Sequence, residues 1–298
     1  HHFIADSEPM LNMLRDLEFA ASLDSSVIVC GPSGSGKASV AQLLHDQSAR
    51  SEEGFLTFNA GLVDPAMIES ELFGSANPAF RDLHGGRLGC LRTASYGTVF
   101  INRVEELSSE MQLKLLHALR EQAVRPVGSQ RLEPINVRII AGSRLRLAKL
   151  RNSKRLEDEL YHWLASTALE VPSLYQRRDN ILAIASSMLP PELSLSEECV
   201  SAFQEYNWPG NLSELKSAIK EACFKCDSSI IQLDHLPSRV AQEGRRPSLE
   251  MRFLSFKELE ERHLRETLSA LSGNKKRAAE VLGISRTALY YKINQYGI

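Results

Sequence analysis

Gly31-Pro-Ser-Gly-Ser-Gly36-Lys37 sets three glycines and a lysine directly after the apolar run Val27–Cys30. The spacing fits G-x-x-x-x-G-K between a strand and a helix. Such glycines let backbone N–H groups turn inward around phosphates, while the following helix N-terminus and the lysine add positive potential. The nucleotide-binding set read from this segment is Gly31, Ser33, Gly34, Ser35, Gly36, Lys37, Ala38 and Ser39. A structural glycine turn is the alternative. The position after the lysine ordinarily carries a hydroxyl for magnesium; here it is Ala38, and Ser39 falls one place late. Nucleotide can bind, but its metal is poorly held.

A second chemistry sits at the other end. From Arg245 onward eleven Lys/Arg face six Asp/Glu, so this segment carries +5 and the rest of the chain −7 within a total of −2. A basic tail on an acidic body points to nucleic acid; a solvated charged helix is the plain alternative. Lys275-Lys-Arg-Ala-Ala-Glu-Val-Leu282, Gly283 and a helix capped by Ser285 and running to Tyr296 read as a helix-turn-helix, with small Ala278 and Ala279 allowing close packing. The helix before it opens at a capping box, Ser255 with Glu258, turns Leu264, Leu268 and Leu271 inward, and ends at Gly273-Asn274.

The elements that must hold these sites follow from the apolar pattern. Residues 27–175 alternate buried-strand and helical patterns, the mark of a layered α/β domain. Thr98–Ile101 and Val137–Ala141 read as strands beside Val27–Cys30, and Ser109–Ala123 as a helix with Met111, Leu115, Leu116 and Leu119 on one face. The expected boundaries are 1–173 for an α/β subdomain, 174–242 for a helical subdomain, 243–252 for a linker and 253–298 for the basic unit. At 298 residues with 43% hydrophobic and 24% charged residues, the chain suits about two globular domains. No apolar run approaches the roughly 18 residues of a membrane helix. Five cysteines do not suggest a disulfide framework, so a reducing cytoplasm fits and no membrane is expected. Cys223-x-x-Cys226 has no second pair, and His84, His117 and His162 are scattered, so no metal site is expected.

The Gly31–Lys37 loop, Glu69-Ser-Glu-Leu-Phe-Gly74, Tyr96-Gly-Thr-Val-Phe-Ile101, Arg138-Ile-Ile-Ala141, Trp208-Pro-Gly-Asn211 and the C-terminal helix-turn-helix together resemble the NtrC family of bacterial enhancer-binding proteins. The resemblance implies an AAA+ P-loop NTPase-like α/β domain with a helical lid, then an all-α Fis-like DNA-binding domain. It also implies that an N-terminal regulatory domain is missing here. On Fis-like positions Lys275, Lys276 and Arg277 hold the DNA backbone, while Ser285, Arg286, Thr287, Tyr290, Tyr291 and Lys292 face the major groove or its phosphates, although Tyr290-Tyr291 can equally be packing residues.

The departures from the family pattern are as informative. The acidic pair that follows the strand, where the Asp orders magnesium and the Glu activates water, is Asn102 and Arg103 here. Asn59 matches a switch asparagine that has lost its glutamate partner. The arginine fingers fall within Leu156–Leu164, at positions held by Glu157 and Trp163, and a sensor arginine is replaced by Ser213; Arg155 stands nearby. The loop that touches sigma-54 reads Pro78-Ala-Phe-Arg-Asp-Leu83, keeping Phe80 but not the hinge glycines or the threonine.

The expectation drawn from these residues is a DNA-binding regulator, at least a dimer, that is not an ATP-hydrolysing enzyme. Its AAA+ module would sense cyclic di-GMP, as in degenerate members controlling biofilm, with ATP or another nucleotide in the P-loop. It would work with RNA polymerase independently of sigma-54. Arg144-Leu-Arg146 and Arg177-Arg178 are candidates, by charge alone, for holding the cyclic dinucleotide. The alternative is an ATP-hydrolysing, sigma-54-dependent activator; a repressor or architectural DNA binder is a third.

Overall fold

The computed structural model describes residues 6–76, 88–244, 256–271 and 274–296. Helix α1 (Glu8–Ser22) precedes β1 (Val27–Cys30), whose side chains are all buried, and the phosphate loop leads into α2 (Lys37–Asp46). Next come β2 (Phe55–Asn59), α3 (Ile68–Phe73), α4 (Cys90–Thr93), β3 (Thr98–Asn102), α5 (Ser109–Glu121), β4 (Ala123–Val124), β5 (Glu133–Pro134) and β6 (Arg138–Ser143). Helices α6 (Leu147–Asn152) and α7 (Asp158–Leu164) then lead to β7 (Thr167–Glu170).

β2, β3, β6, β1 and β7 lie in that order in one sheet, every pairing parallel. A parallel sheet is covered on both faces, which is why its central strands are continuous apolar runs. The period of two divides them. Ile28, Val99, Ile101, Ile139 and Ala141 pack toward α3, α4, α5 and α7. Val27, Val29, Phe100 and Ile140 pack toward α1 and α2. The sheet order places the ends of β1, β3 and β6 side by side, and these ends build the site.

The helical part has its own core around Trp208, Phe203 and Leu215. It holds α8 (Ile181–Met188), α9 (Glu197–Glu205), α10 (Asn211–Lys225) and α11 (Ser238–Gly244), with β8 (Ser194–Leu195) pairing β9 (Ile230–Ile231). Trp208 sits edge-on to both Phe203 and Tyr206 and donates its indole N–H to the Phe203 carbonyl at 2.8 Å. The chain divides into two compact units, His1–Glu243 and Gly244–Ile298. In the second, α12 (Phe256–Ala270), α13 (Lys275–Val281) and α14 (Arg286–Tyr296) enclose Leu264, Leu268, Ala278, Ala279, Leu289 and Ile293.

Pro78–Leu83, His84, the capping residue Ser255, the Glu258 side chain, Gly273 and most of the 243–252 linker lie outside the described residues. None of the described helices is long and apolar enough to cross a membrane.

Candidate nucleotide site and DNA-reading helix

Gly34 and Gly36 adopt φ values of 74° and 102°, open to glycine at little cost. Gly34 is also required by space, since a Cβ there would come within 2.2 Å of the Gly210 carbonyl oxygen. The loop is therefore pressed against the start of α10, where the Leu212 amide donates to the Gly34 carbonyl at 2.9 Å. Asn211 reinforces the join: its Nδ2 donates to the Ser33 carbonyl and its Oδ1 accepts from the Leu174 amide.

Lys37 is 8% exposed, and its ammonium donates to the carbonyls of Gly31 (2.8 Å) and Pro32 (3.0 Å). Burial pushes its pKa down, and the charge of Glu105 opposes that shift. Arg177 is buried, donates to the Ser35 carbonyl at 2.7 Å and has its pKa lowered to about 10 by desolvation. It braces the loop from the cleft wall.

Gly34, Ser35, Gly36, Lys37, Ala38 and Ser39 line a cleft of about 750 Å³, together with Asn102 from β3 and Ser213 and Lys216 from α10. That volume suits a nucleotide-sized ligand. Gly31 and Ser33 stay on the loop as carbonyl acceptors rather than cleft wall. Two buried oxygens of the cleft wall, Ser35 Oγ and Asn102 Oδ1, lack a partner within the protein, and so does Glu105 Oε2, which follows β3 but is not part of the wall. Buried polar atoms are rarely left so. With the cationic loop they fit a hydrated magnesium–nucleotide pair.

The other sequence-derived residues scatter. Asn59 ends β2 and holds the Gly61 amide at 3.2 Å, while Arg103 pairs with Glu106 at 3.5 Å. Glu157 stands at the N-cap position of α7 without a side-chain capping bond, two residues after Arg155, and Trp163 is partly exposed on that helix. Among the arginines considered for a cyclic dinucleotide, Arg144 pairs with Glu106 at 2.9 Å, Arg177 is buried, and Arg178 stacks over Tyr175 and donates to Asn207. The residues that sequence reasoning missed are Glu105 and Lys216, while Arg177, a candidate by charge, turns inward to the loop. Lys216 had a signal, being one helical turn beyond Ser213.

In the second unit Ser285 Oγ accepts from the Ala288 amide at 3.1 Å and opens α14, while Leu289 and Ile293 turn inward. Lys275, Lys276, Arg277, Arg286, Thr287, Tyr290 and Tyr291 are exposed, and the Lys275 ammonium lies 5.0 Å over the Tyr290 ring. Lys292 is drawn instead to the Glu260 carboxylate of α12, which also accepts from the Tyr296 hydroxyl. Both neighbours hold the Glu260 carboxyl below its ordinary range, Lys292 more than Tyr296.

A P-loop α/β domain with a helical lid, followed in the chain by a unit that presents a basic helix, defines a nucleotide-handling DNA-binding regulator. Residues 3–170 match the sigma-54 interaction domain, residues 177–251 the AAA+ ATPase lid domain, and residues 255–296 the bacterial regulatory protein Fis family. The chain belongs to the sigma-54 activator family of bacterial transcription regulators. It is 32% identical to transcriptional regulatory protein ZraR of Escherichia coli over 98% of this chain and 68% of the relative. It is 30% identical to response regulator protein PilR of Pseudomonas aeruginosa over 100% and 70%. NtrX from Brucella abortus superposes with a TM-score of 0.73 at 27% identity, over 99% of this chain and 69% of that one. NtrX has been solved with ATP and with ADP.

These matches correct the expectation that the chain is not an enzyme, because it belongs to a family of ATP-binding activators across both the interaction and lid domains. The physical reason is visible at the end of β3. Reading Asn102 and Arg103 alone as a loss of acidic charge overlooks Glu105 and Glu106, which follow within four residues.

Proposed function

We propose that this chain is an ATP-dependent activator of transcription by the sigma-54 form of RNA polymerase, acting as a homo-oligomer held on DNA by its C-terminal unit. The observation that carries the nucleotide reading is the cleft in which the buried Lys37, Gly34 and Gly36 meet α10 of the lid. Family membership carries the sigma-54 reading.

Lys37 and the amides at the start of α2 hold the triphosphate, and Arg177 keeps the Ser35 carbonyl and hence the loop in place. Lys216 reaches the ligand from the lid, where its charge counters the phosphates. Magnesium, when bound with the nucleotide, neutralises phosphate charge as the terminal phosphoryl leaves. A lid that touches both loop and ligand can convert the state of the nucleotide into movement of the helical part. The proposed ligand is a nucleoside triphosphate rather than cyclic di-GMP, since the similar NtrX has been solved with ATP and with ADP.

Steady-state phosphate release at high protein concentration tests this reading. Turnover that depends on ATP and disappears in Lys37→Ala is the expected result. No release above the Lys37→Ala background, at saturating ATP and magnesium, refutes the hydrolytic reading.

A further inference from the structure

Asn102, at the end of β3, carries no charge. Arg103 takes the left-handed conformation (φ 58°) and turns its guanidinium to Glu106. The acidic charge reappears one step later. The Glu105 side chain is wholly buried, an environment that carboxylates seldom occupy without a partner. Its Oε1 accepts from the Arg144 amide at 3.0 Å, with Arg144 Nε 3.9 Å away, but Oε2 has no hydrogen-bond partner within the protein. Asn102 Oδ1 is orphaned in the same way.

Hydrogen bonds tie this region to the phosphate loop. Arg144 directly follows β6. Ser143, the residue before it, gives its carbonyl to the Gly31 amide at 3.1 Å, and the Gly31 carbonyl holds the Lys37 ammonium at 2.8 Å. Three hydrogen bonds across adjacent strand ends thus join Glu105 to the phosphate-binding lysine. Burial holds the pKa of Lys37 down, and the charge of Glu105 works against that shift while Arg103 adds to it.

We propose that Glu105 is the carboxylate that this chain presents to the magnesium accompanying the nucleotide, with Asn102 as a neutral second acceptor. The inference rests on the nucleotide reading of the same cleft. Magnesium keeps several of its waters and is held by one or two carboxylates plus phosphate oxygens, so a carboxylate set back from the cleft wall can serve through that water shell. It also accounts for the tolerance of Ala38, because a metal held from the β3 side depends less on a loop hydroxyl.

The test is titration of the whole chain with a fluorescent N-methylanthraniloyl ATP, with and without magnesium. Wild type is expected to bind more tightly with magnesium. Glu105→Gln keeps an acceptor for the Arg144 amide and should bind as well as wild type without metal, but lose the magnesium enhancement by about tenfold or more. Adding Asn102→Asp to Glu105→Gln should restore it, which also shows that the variant is folded. Full magnesium enhancement in Glu105→Gln overturns the proposal, as does equal weakening with and without metal, which marks a merely structural carboxylate. Failure of the wild type to bind the analogue at all refutes instead the nucleotide reading, and Glu105 falls with it.

Discussion

Asn211→Ala should be among the most damaging single changes near the cleft, and its cost can be worked from the structure. Asn211 is 2% exposed and holds φ at 53°, a conformation that Asn tolerates and Ala does not. Its amide accepts from Leu174 N at 2.8 Å and donates to Ser33 O at 2.9 Å. Removing it leaves the Leu174 amide without this acceptor beside a fully buried side chain, at about 1–3 kcal/mol. The lost bond to Ser33 adds about 1 kcal/mol, and the left-handed backbone adds about 1 kcal/mol more. The sum is about 3–5 kcal/mol, or roughly 6–20 °C in Tm for a unit of this size. Differential scanning calorimetry of Asn211→Ala, Asn211→Gly and Asn211→Asp separates the parts. Gly relieves the backbone cost and should recover about 1 kcal/mol. Asp keeps the acceptor for Leu174 but sets a carboxylate against the Ser33 carbonyl, so nucleotide affinity should fall further than Tm. A melting point for Ala within about 2 °C of wild type refutes the reasoning. Equal losses for Gly and Ala refute the share assigned to the backbone.

Lys216→Ala removes the charge that the lid brings to the cleft, so ATP affinity should fall about tenfold, and ADP affinity less, in paired titrations; equal losses would place Lys216 away from the terminal phosphate. Arg286→Ala, on an exposed side chain of α14, should abolish specific DNA binding in an anisotropy titration while leaving the circular dichroism melt unchanged; retained affinity removes Arg286 from the reading helix. The Glu260 carboxyl is held below its ordinary range in the folded state by Lys292 and then Tyr296. Its contribution is therefore present above the unfolded pKa and lost as pH falls through the folded one. Glu260→Gln should flatten the acid limb of the C-terminal unit's melting curve below about pH 4.5, and an unchanged limb would assign that loss to other carboxylates.

Where a residue's role is fixed by neighbours in the chain, the sequence is a sufficient guide. The apolar run Val27–Cys30 followed by glycines fixes a buried strand, a tight turn and a helix start in one stretch, and Leu264, Leu268, Ala278 and Ala279 are spaced to close a small helical core. Small discrepancies have local causes. The helix read to Ala123 stops at Glu121, because Gln122 turns left-handed (φ 50°) and Ala123 joins β4. The charged residues were harder, since each is assigned by a contact distant in sequence. Arg177 reads, by charge alone, as a candidate for a cyclic dinucleotide until the Ser35 carbonyl, 142 residues away, draws it inside. Lys292 reads as a groove contact until Glu260 of α12 takes its ammonium.

Glu105 shows why comparing positions one at a time misjudges such a site. Measured against a motif, the end of β3 has lost two carboxylates and gained a guanidinium. In space, the left-handed turn at Arg103 sends that guanidinium to Glu106, and the register of β3 on β6 sets Glu105 at the Arg144 amide, two residues beyond Gly142, where Asn102 packs. A cationic loop needs negative charge nearby, and the fold supplies it from whichever residue the backbone delivers. Column-by-column substitution counts Asn102 as a deletion, whereas electrostatics counts Glu105 as a relocation. Asn102→Asp in the wild-type background decides between them: a relocation predicts two carboxylates crowding one metal-facing site and little gain in magnesium enhancement, whereas a deletion predicts a large gain.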